Sequence, residues 1–178
     1  MGATFVLVFC RWLIGLAFAV SAVGKARALS AFRSTITEFG VLPARLAPAA
    51  AKATIAAEGL VVVLVAAGDV LAAAGFALAL ALLAAFSVIL GAAVRRHTDV
   101  SCNCFGASER RVSWYDVARN GLLGLCCAGG LWTWLLPARE RLSPAVIMAL
   151  GLTAAGFLVI TANLDDFIAM LRKPYLAD

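Results

Sequence analysis

The residues with the most chemistry to offer are Cys102 and Cys104, two thiols in the stretch Cys102-Asn103-Cys104-Phe105-Gly106. A Cys-x-Cys pair closes to a disulfide only where the backbone bends, so the bridge is strained, oxidising and readily exchanged. Gly106 supplies the backbone freedom that a tight turn needs. Arg95, Arg96, Arg110 and Arg111 flank the pair and favour the thiolate, which is the attacking species. Redox exchange is the chemistry this spacing points to. Two other readings of the same residues stay open: inert thiols, or a metal site in which His97 joins the two cysteines. Three ligands suffice for a catalytic zinc, but a structural zinc needs a fourth, and the stretch offers none.

Further candidates stand inside apolar runs. Arg11 and Glu58 are costly in hydrocarbon and must find partners within a bundle. At 1.5 Å per residue, Arg11 is about 20 Å from Gly24 and Glu58 about 18 Å from Leu46. These matching depths predict an Arg11–Glu58 ion pair that fixes helix register. Arg119 lies about 8 Å in from Trp114, close enough to snorkel back to the cysteine stretch. With Asn120 it is placed to steady a thiolate or hold backbone carbonyls there. Lys25, at the end of the first run, reads as a snorkelling anchor. Cys10, about 21 Å from Gly24, and Cys126, about 18 Å from Trp114, sit at similar depths with Cys127 beside them. They offer a second set of thiols for a relay; the plainer reading is small core residues.

The elements that must hold these groups are membrane helices. Of 178 residues, 63% are hydrophobic and 14% charged, with a mean hydropathy of +0.97. A soluble domain is nearer 45–50% apolar and about 25% charged, so a soluble globular fold and a disordered chain are both excluded. Apolar runs cover about 4–23, 46–67, 70–94, 114–136 and 144–162, each close to the roughly 20 residues a span requires. Gly68-Asp69 reads as a tight hairpin turn. Ser113 and Asp116 suit a helix start, Pro137 an end, and Ser143-Pro144 a second start. None of the runs alternates as a barrel strand would. The expected fold is all-α, one integral membrane bundle over residues 1–178: a four-helix core plus a fifth, C-terminal span. The first run lacks a basic leader and contains Arg11, so it reads as a retained helix.

Leu29, Phe32, Ile36 and Phe39 recur at helical spacing among Lys25, Arg27, Arg33 and Glu38, predicting a short amphipathic helix lying in the interface. Leu164, Phe167, Ile168 and Leu171 suggest another in the tail. Gly124 with Ala128, and Gly151 with Ala155, are spaced for close helix packing. The net charge of +5 belongs to loops between spans, so it speaks of topology and lipid and not of nucleic acid. With five spans, 11 of the 15 Lys and Arg residues fall on the side of the 95–113 loop, and only Arg139 and Arg141 fall opposite. The positive-inside rule puts that loop in the cytoplasm and the N-terminus outside.

The chain resembles the MauE family of methylamine utilisation, grouped with DoxX-like redox-associated membrane proteins. The resemblance rests on Ser21 through Lys25, Phe32, Glu38 through Pro43, Glu58, Cys102 through Gly106, Ser113-Trp114 and Arg119-Asn120, spanning about residues 5–135. It implies a four-helix redox bundle in a bacterial inner or plasma membrane. Such a bundle would work with a thioredoxin-like partner on a disulfide-containing extracytoplasmic client such as the small subunit of methylamine dehydrogenase. Cys102 and Cys104 would be the exchanging pair. Quinone is carried as an open cofactor assignment, because quinone-linked bundles of similar architecture generally use Cys-x-x-Cys. A client outside the cytoplasm suggests an outward-facing dithiol, against the charge count. Two other functions are kept beside this one: a non-catalytic membrane assembly scaffold, and a DoxX-type quinone-linked subunit of sulfur-compound oxidation.

Overall fold

The computed structural model describes residues 2–40, 42–96, 113–136 and 142–163, and every regular element among them is helical. In chain order they are α1 (Gly2–Arg27), α2 (Leu29–Glu38), a 3-10 turn (Ala44–Leu46), α3 (Ala47–Ala67), α4 (Asp69–Arg95), α5 (Trp114–Trp134) and α6 (Pro144–Ala162). Cys102, Cys104, His97, Pro137 and the tail helix expected from Leu164 onward lie outside the described residues.

The helix boundaries follow local chemistry. Gly68 ends α3 and starts α4 in one residue, at φ +82°, a left-handed conformation that glycine adopts without a Cβ penalty. Ser113 in extended backbone precedes α5, and Ser143 followed by Pro144 opens α6. Proline at a first helical position loses only an N–H that has no intrahelical partner.

The bundle is organised around α1, which packs against α3, α5 and α6, while α4 packs against α3 and α5. Leu13, Ile14, Val61, Phe76, Ala79 and Cys127 are fully buried at its centre. Val63, Val88, Leu125, Leu152 and Ile160 face outward, the arrangement expected when the solvent is lipid and helices associate by close packing. The tightest approach on α5 is at Gly130, where a Cβ would stand 2.7 Å from the Phe76 ring, whereas at Gly124 it would meet only Leu80, at 3.6 Å. Gly151 of α6 sits over Trp12, whose ring would stand 3.1 Å from a Cβ at that position. Phe9 meets Phe157 edge to face at 6.3 Å.

Four helical stretches among the described residues are long and apolar enough to cross a membrane: Gly2–Arg27, Ala44–Ala67, Val70–Arg95 and Pro144–Ala162. The helix α5 falls short on composition because it carries Asp116, Arg119 and Asn120, all of which it turns inward and buries.

The short helix α2 does form, and its apolar face is turned onto the bundle. Phe32 is buried, and Phe32, Ile36 and Phe39 line an apolar cavity of about 140 Å³ against α3 and α4. The helix α2 packs against α3, and Lys25 near the end of α1 lines the same cavity as Ala50 and Thr54 of the first turns of α3. This placement sets the register of the charged residues.

Candidate functional site

This register brings Lys25, and not Arg11, to Glu58. Lys25 is 2% exposed and Glu58 1%, and the Lys25 ammonium donates directly to Glu58 Oε1 in a buried ion pair. Ser21, one turn before Lys25 on α1, completes the group. Lys25 Nζ donates to Ser21 Oγ at 3.0 Å, and Ser21 Oγ donates to Glu58 Oε1 at 3.0 Å. The ammonium also lies 4.6 Å from the Phe86 ring centroid and 5.2 Å from that of Phe32, so its remaining face meets π-electron density instead of bare hydrocarbon. Lys25 is therefore an internal member of the bundle and no snorkelling anchor.

The expected Arg11–Glu58 pair does not form. Arg11 donates from Nε to the Val65 carbonyl and from Nη2 to the Ala66 carbonyl, each at 3.0 Å. These carbonyls belong to the last turn of α3, where no intrahelical N–H reaches them and the helix dipole favours a cation. Two causes separate Arg11 from Glu58. Equal depths bring residues together only when the helix ends lie in one plane, and Glu58 of α3 lies level with Ser21 and Lys25 in the last turns of α1. Side chains also lean toward the N-terminus of their own helix, which takes Lys25 inward and Arg11 outward along α1. Gly68 completes the arrangement: a Cβ there would come within 3.3 Å of Arg11 Nη2.

Arg119 and Asn120 come to the same end of the bundle as Lys25 and Glu58. Both are buried. With Ser21, Lys25 and Glu58 they line a small cavity of about 30 Å³ between α1, α3, α4 and α5. Glu58 Oε2 is buried without a hydrogen-bond partner among the described residues, and a cavity of this size has room for one water. Arg119 reaches toward the start of α5, its Nη2 lying 3.5 Å from Asp116 Oδ1. Asp116 in turn accepts the Ser113 N–H at 3.0 Å and the Ser113 hydroxyl at 3.4 Å, the reach-back half of a capping box. Arg119, Asp116 and Ser113 thus form a chain of contacts that fixes the point where the chain enters α5. The preceding residues, 97–112, connect α4 to that point and carry Cys102 and Cys104.

Three residues of this cluster do not stand out as site candidates in the sequence. Ser21 shares a helix face with Lys25, four residues on, and that spacing could have marked it. Asp116 reads only as a helix-start residue, although its spacing to Arg119 suits an i,i+3 pair. Phe86 carries no signal in an apolar run. Among the described residues no group of three or more His, Cys, Asp or Glu converges as a metal site would require.

The remaining thiols gather elsewhere. Cys10 and Cys127 are buried, Cys126 is half-buried, and all three are free. Cys10 lies on α1 and Cys126 on α5, helices that pack against each other.

No curated protein and no solved structure matches the chain. A family model described as Methylamine utilisation protein MauE matches residues 3–134, which take in α1 through α5 and stop at the last residue of α5. The match contains the whole Ser21–Lys25–Glu58–Arg119–Asn120 cluster and the Cys-x-Cys stretch, and leaves α6 outside. The chain is a multi-pass membrane protein belonging to the MauE family, linked to methylamine utilisation.

Proposed function

We propose that the chain is a membrane thiol–disulfide oxidoreductase in which Cys102 and Cys104 exchange disulfides with a thioredoxin-like partner, in support of a disulfide-containing extracytoplasmic client. In one turnover a Cys102 or Cys104 thiolate attacks a sulfur of the partner's disulfide. The partner's S–S bond breaks, a mixed disulfide forms, and the released partner sulfur takes up a proton. The second cysteine, deprotonated, then attacks its neighbour's sulfur, closing the Cys102–Cys104 bridge and releasing the partner as a dithiol. Two electrons pass from this chain to the partner in this direction, and from a reduced partner to the closed Cys102–Cys104 bridge in the reverse, because each exchange step is reversible.

The observation that carries this reading is the buried polar cluster at the end of the bundle where the Cys-x-Cys stretch joins α5. Charged groups in a membrane interior are expensive and gather where function requires them. Here Lys25, Glu58, Arg119 and Asn120 line one small cavity, with Arg119 and Asn120 in the first turns of α5, the helix that follows the dithiol stretch in the chain. Arg119 and Asp116 hold its root, and the basic residues beside the pair favour the thiolate.

The reading takes α5 as a fifth span. At 21 residues it is about 31 Å long, equal to the hydrocarbon thickness. Trp114 and Tyr115 are exposed at one end and Trp132 at the other, matching the two aromatic belts of a spanning helix. The charge balance then assigns residues 97–112 to the cytoplasmic face, so the dithiol takes electrons from a cytosolic reductant and the extracytoplasmic client is reached only by passing them across the bundle. In that topology the apolar face of α2 seals the same interface.

Growth on methylamine of a strain carrying Cys102→Ser or Cys104→Ser tests the assignment, with membrane levels of the protein checked by immunoblot. Loss of growth at normal protein level is expected for each. Full growth with both variants overturns the redox reading and leaves the scaffold function in its place.

A further inference from the structure

The cavity under α2 has no role in the exchange described above. It holds about 140 Å³ between α2 and the Lys25 end of the bundle, close to the about 150 Å³ of an apolar cavity that stays dry and binds benzene. Three rings, Phe32, Phe39 and Phe86, stand in its walls, and among the described residues lining it only Lys25, Thr35 and Thr54 carry a polar side chain. Thr35 Oγ1 already donates to the Ala31 carbonyl, at 3.0 Å. Lys25 is different. It is 2% exposed, and it lines both this cavity and the small polar one beside it. An ammonium has three N–H donors. One goes to Glu58 Oε1 and one to Ser21 Oγ. The remaining side faces the Phe86 and Phe32 rings, 4.6 Å and 5.2 Å from their centroids, and both rings belong to the cavity wall. On α3, Ala50 and Thr54 line the cavity and Glu58 follows Thr54 by four residues, so one helix face leads from the cavity to the ion pair.

We propose that this cavity binds a neutral, lipid-soluble compound with one flat ring and a ring carbonyl, the chemistry of a quinone headgroup. The ring lies among Phe32, Phe39 and Phe86, and the carbonyl oxygen accepts the third N–H of Lys25. Volume and aromatic walls decide for a single ring. Charge decides for a neutral one. Lys25 is matched by Glu58 and Arg119 by Asp116, so no net positive charge is left for an anion, and a carboxylate in the cavity would meet that of Glu58. A carbonyl asks only for a donor, and it is a better acceptor than the π-faces that now hold the third N–H. An apolar pocket with one well-placed polar group is the usual form of a small-molecule site. Leu42 is exposed, and Ile36 and Phe39 are half-buried, so the ligand enters from the bilayer beside α2. Binding makes and breaks no covalent bond.

The site does not depend on thiol exchange, so it is tested in the Cys102→Ser/Cys104→Ser chain as well as in the native one. Each is placed in lipid nanodiscs and photolabelled with a short-tailed azidoquinone, and the labelled peptides are mapped by mass spectrometry. Decylubiquinone, decylbenzene and palmitate serve as unlabelled competitors. The expected result is labelling of α2 and the first turns of α3 in both chains. Decylubiquinone should compete at least tenfold better than decylbenzene, the effect of one hydrogen bond from a charged donor, and palmitate should not compete. Ala50→Trp, which fills the cavity and leaves Lys25 in place, should abolish the labelling. Lys25→Met/Glu58→Leu should lower quinone affinity at least tenfold and erase the preference over decylbenzene, in protein whose helical circular dichroism matches the parent. Equal competition by decylbenzene in the native chain marks a mere hydrophobic hole and overturns the proposal. Competition by palmitate, or labelling that Ala50→Trp leaves unchanged, overturns it too.

Discussion

A buried ammonium and a buried carboxylate hold each other in place in this bundle, and each is expensive without the other. Removing one partner of a buried pair typically costs about 3–5 kcal/mol, whereas replacing both with apolar groups is often nearly neutral. Glu58→Leu is therefore expected to lower stability by about that amount, and Lys25→Met/Glu58→Leu to recover most of it, as read by thermal unfolding in detergent. The double variant should still fail in methylamine growth if the pair serves the dithiol as well as the fold. Arg11 belongs to a different contact, so its changes should be independent. Arg11→Ala forfeits two charge-assisted hydrogen bonds to α3, about 2 kcal/mol or more. A double-mutant cycle between Arg11 and Glu58 should show coupling within about 0.5 kcal/mol of zero, while the Lys25–Glu58 cycle shows a large one. Substantial Arg11–Glu58 coupling would contradict the register described here. Sequence alone marks all three residues as costly and in need of partners, because that follows from residue type and hydropathy. It does not reveal who pairs with whom, because depth counted along a helix says nothing about where the next helix starts.

At the scale of elements, the starts of α5 and α6 and the α3–α4 turn are readable in the sequence. Ser113, Ser143-Pro144 and Gly68 each meet a backbone requirement that a four-residue window contains. The packing of α2 onto α3 is not readable. Its 3-and-4 spacing reports an apolar face, and both a bilayer surface and a neighbouring helix satisfy such a face. The hydropathy deficit of α5 likewise reports Asp116, Arg119 and Asn120 without saying that they point inward. Two predictions belong here. Asp116→Ala removes the contact to the Ser113 N–H and the partner of Arg119. It should cost about 1 kcal/mol, the usual scale for a lost helix-start contact, and should slow thiol exchange more than the stability loss explains. Gly130→Leu drives a side chain into the Phe76 ring, which already lies 2.7 Å from where a Cβ would be. Overpacking of this kind costs about 1–3 kcal/mol, and Phe76→Ala in the same chain should relieve part of it. A Gly130→Leu protein with an unchanged melting temperature would show that α4 and α5 do not approach as described.

For the whole molecule, the central question is what the polar end of an otherwise apolar bundle is for. The buried cluster gathers at one end of the bundle, where α5, the helix that follows the Cys-x-Cys stretch in the chain, begins. Composition sets the protein in a membrane, and the family match covers the bundle through α5. The proposed thiol exchange is a chemistry that would use both. On the charge balance, a membrane-impermeant maleimide should label Cys102 and Cys104 only after cells are permeabilised; labelling of intact cells would reverse the assigned topology. The most direct test is capture of the exchange intermediate. Cys102→Ser and Cys104→Ser chains are purified from cells after acid quenching and alkylation, and resolved without reductant. One of the two variants should carry a covalent adduct with a thioredoxin-like protein that disappears on reduction and is absent from the Cys102→Ser/Cys104→Ser chain. If neither single variant yields such an adduct while the protein is present and folded in the membrane, thiol–disulfide exchange is not what this bundle does.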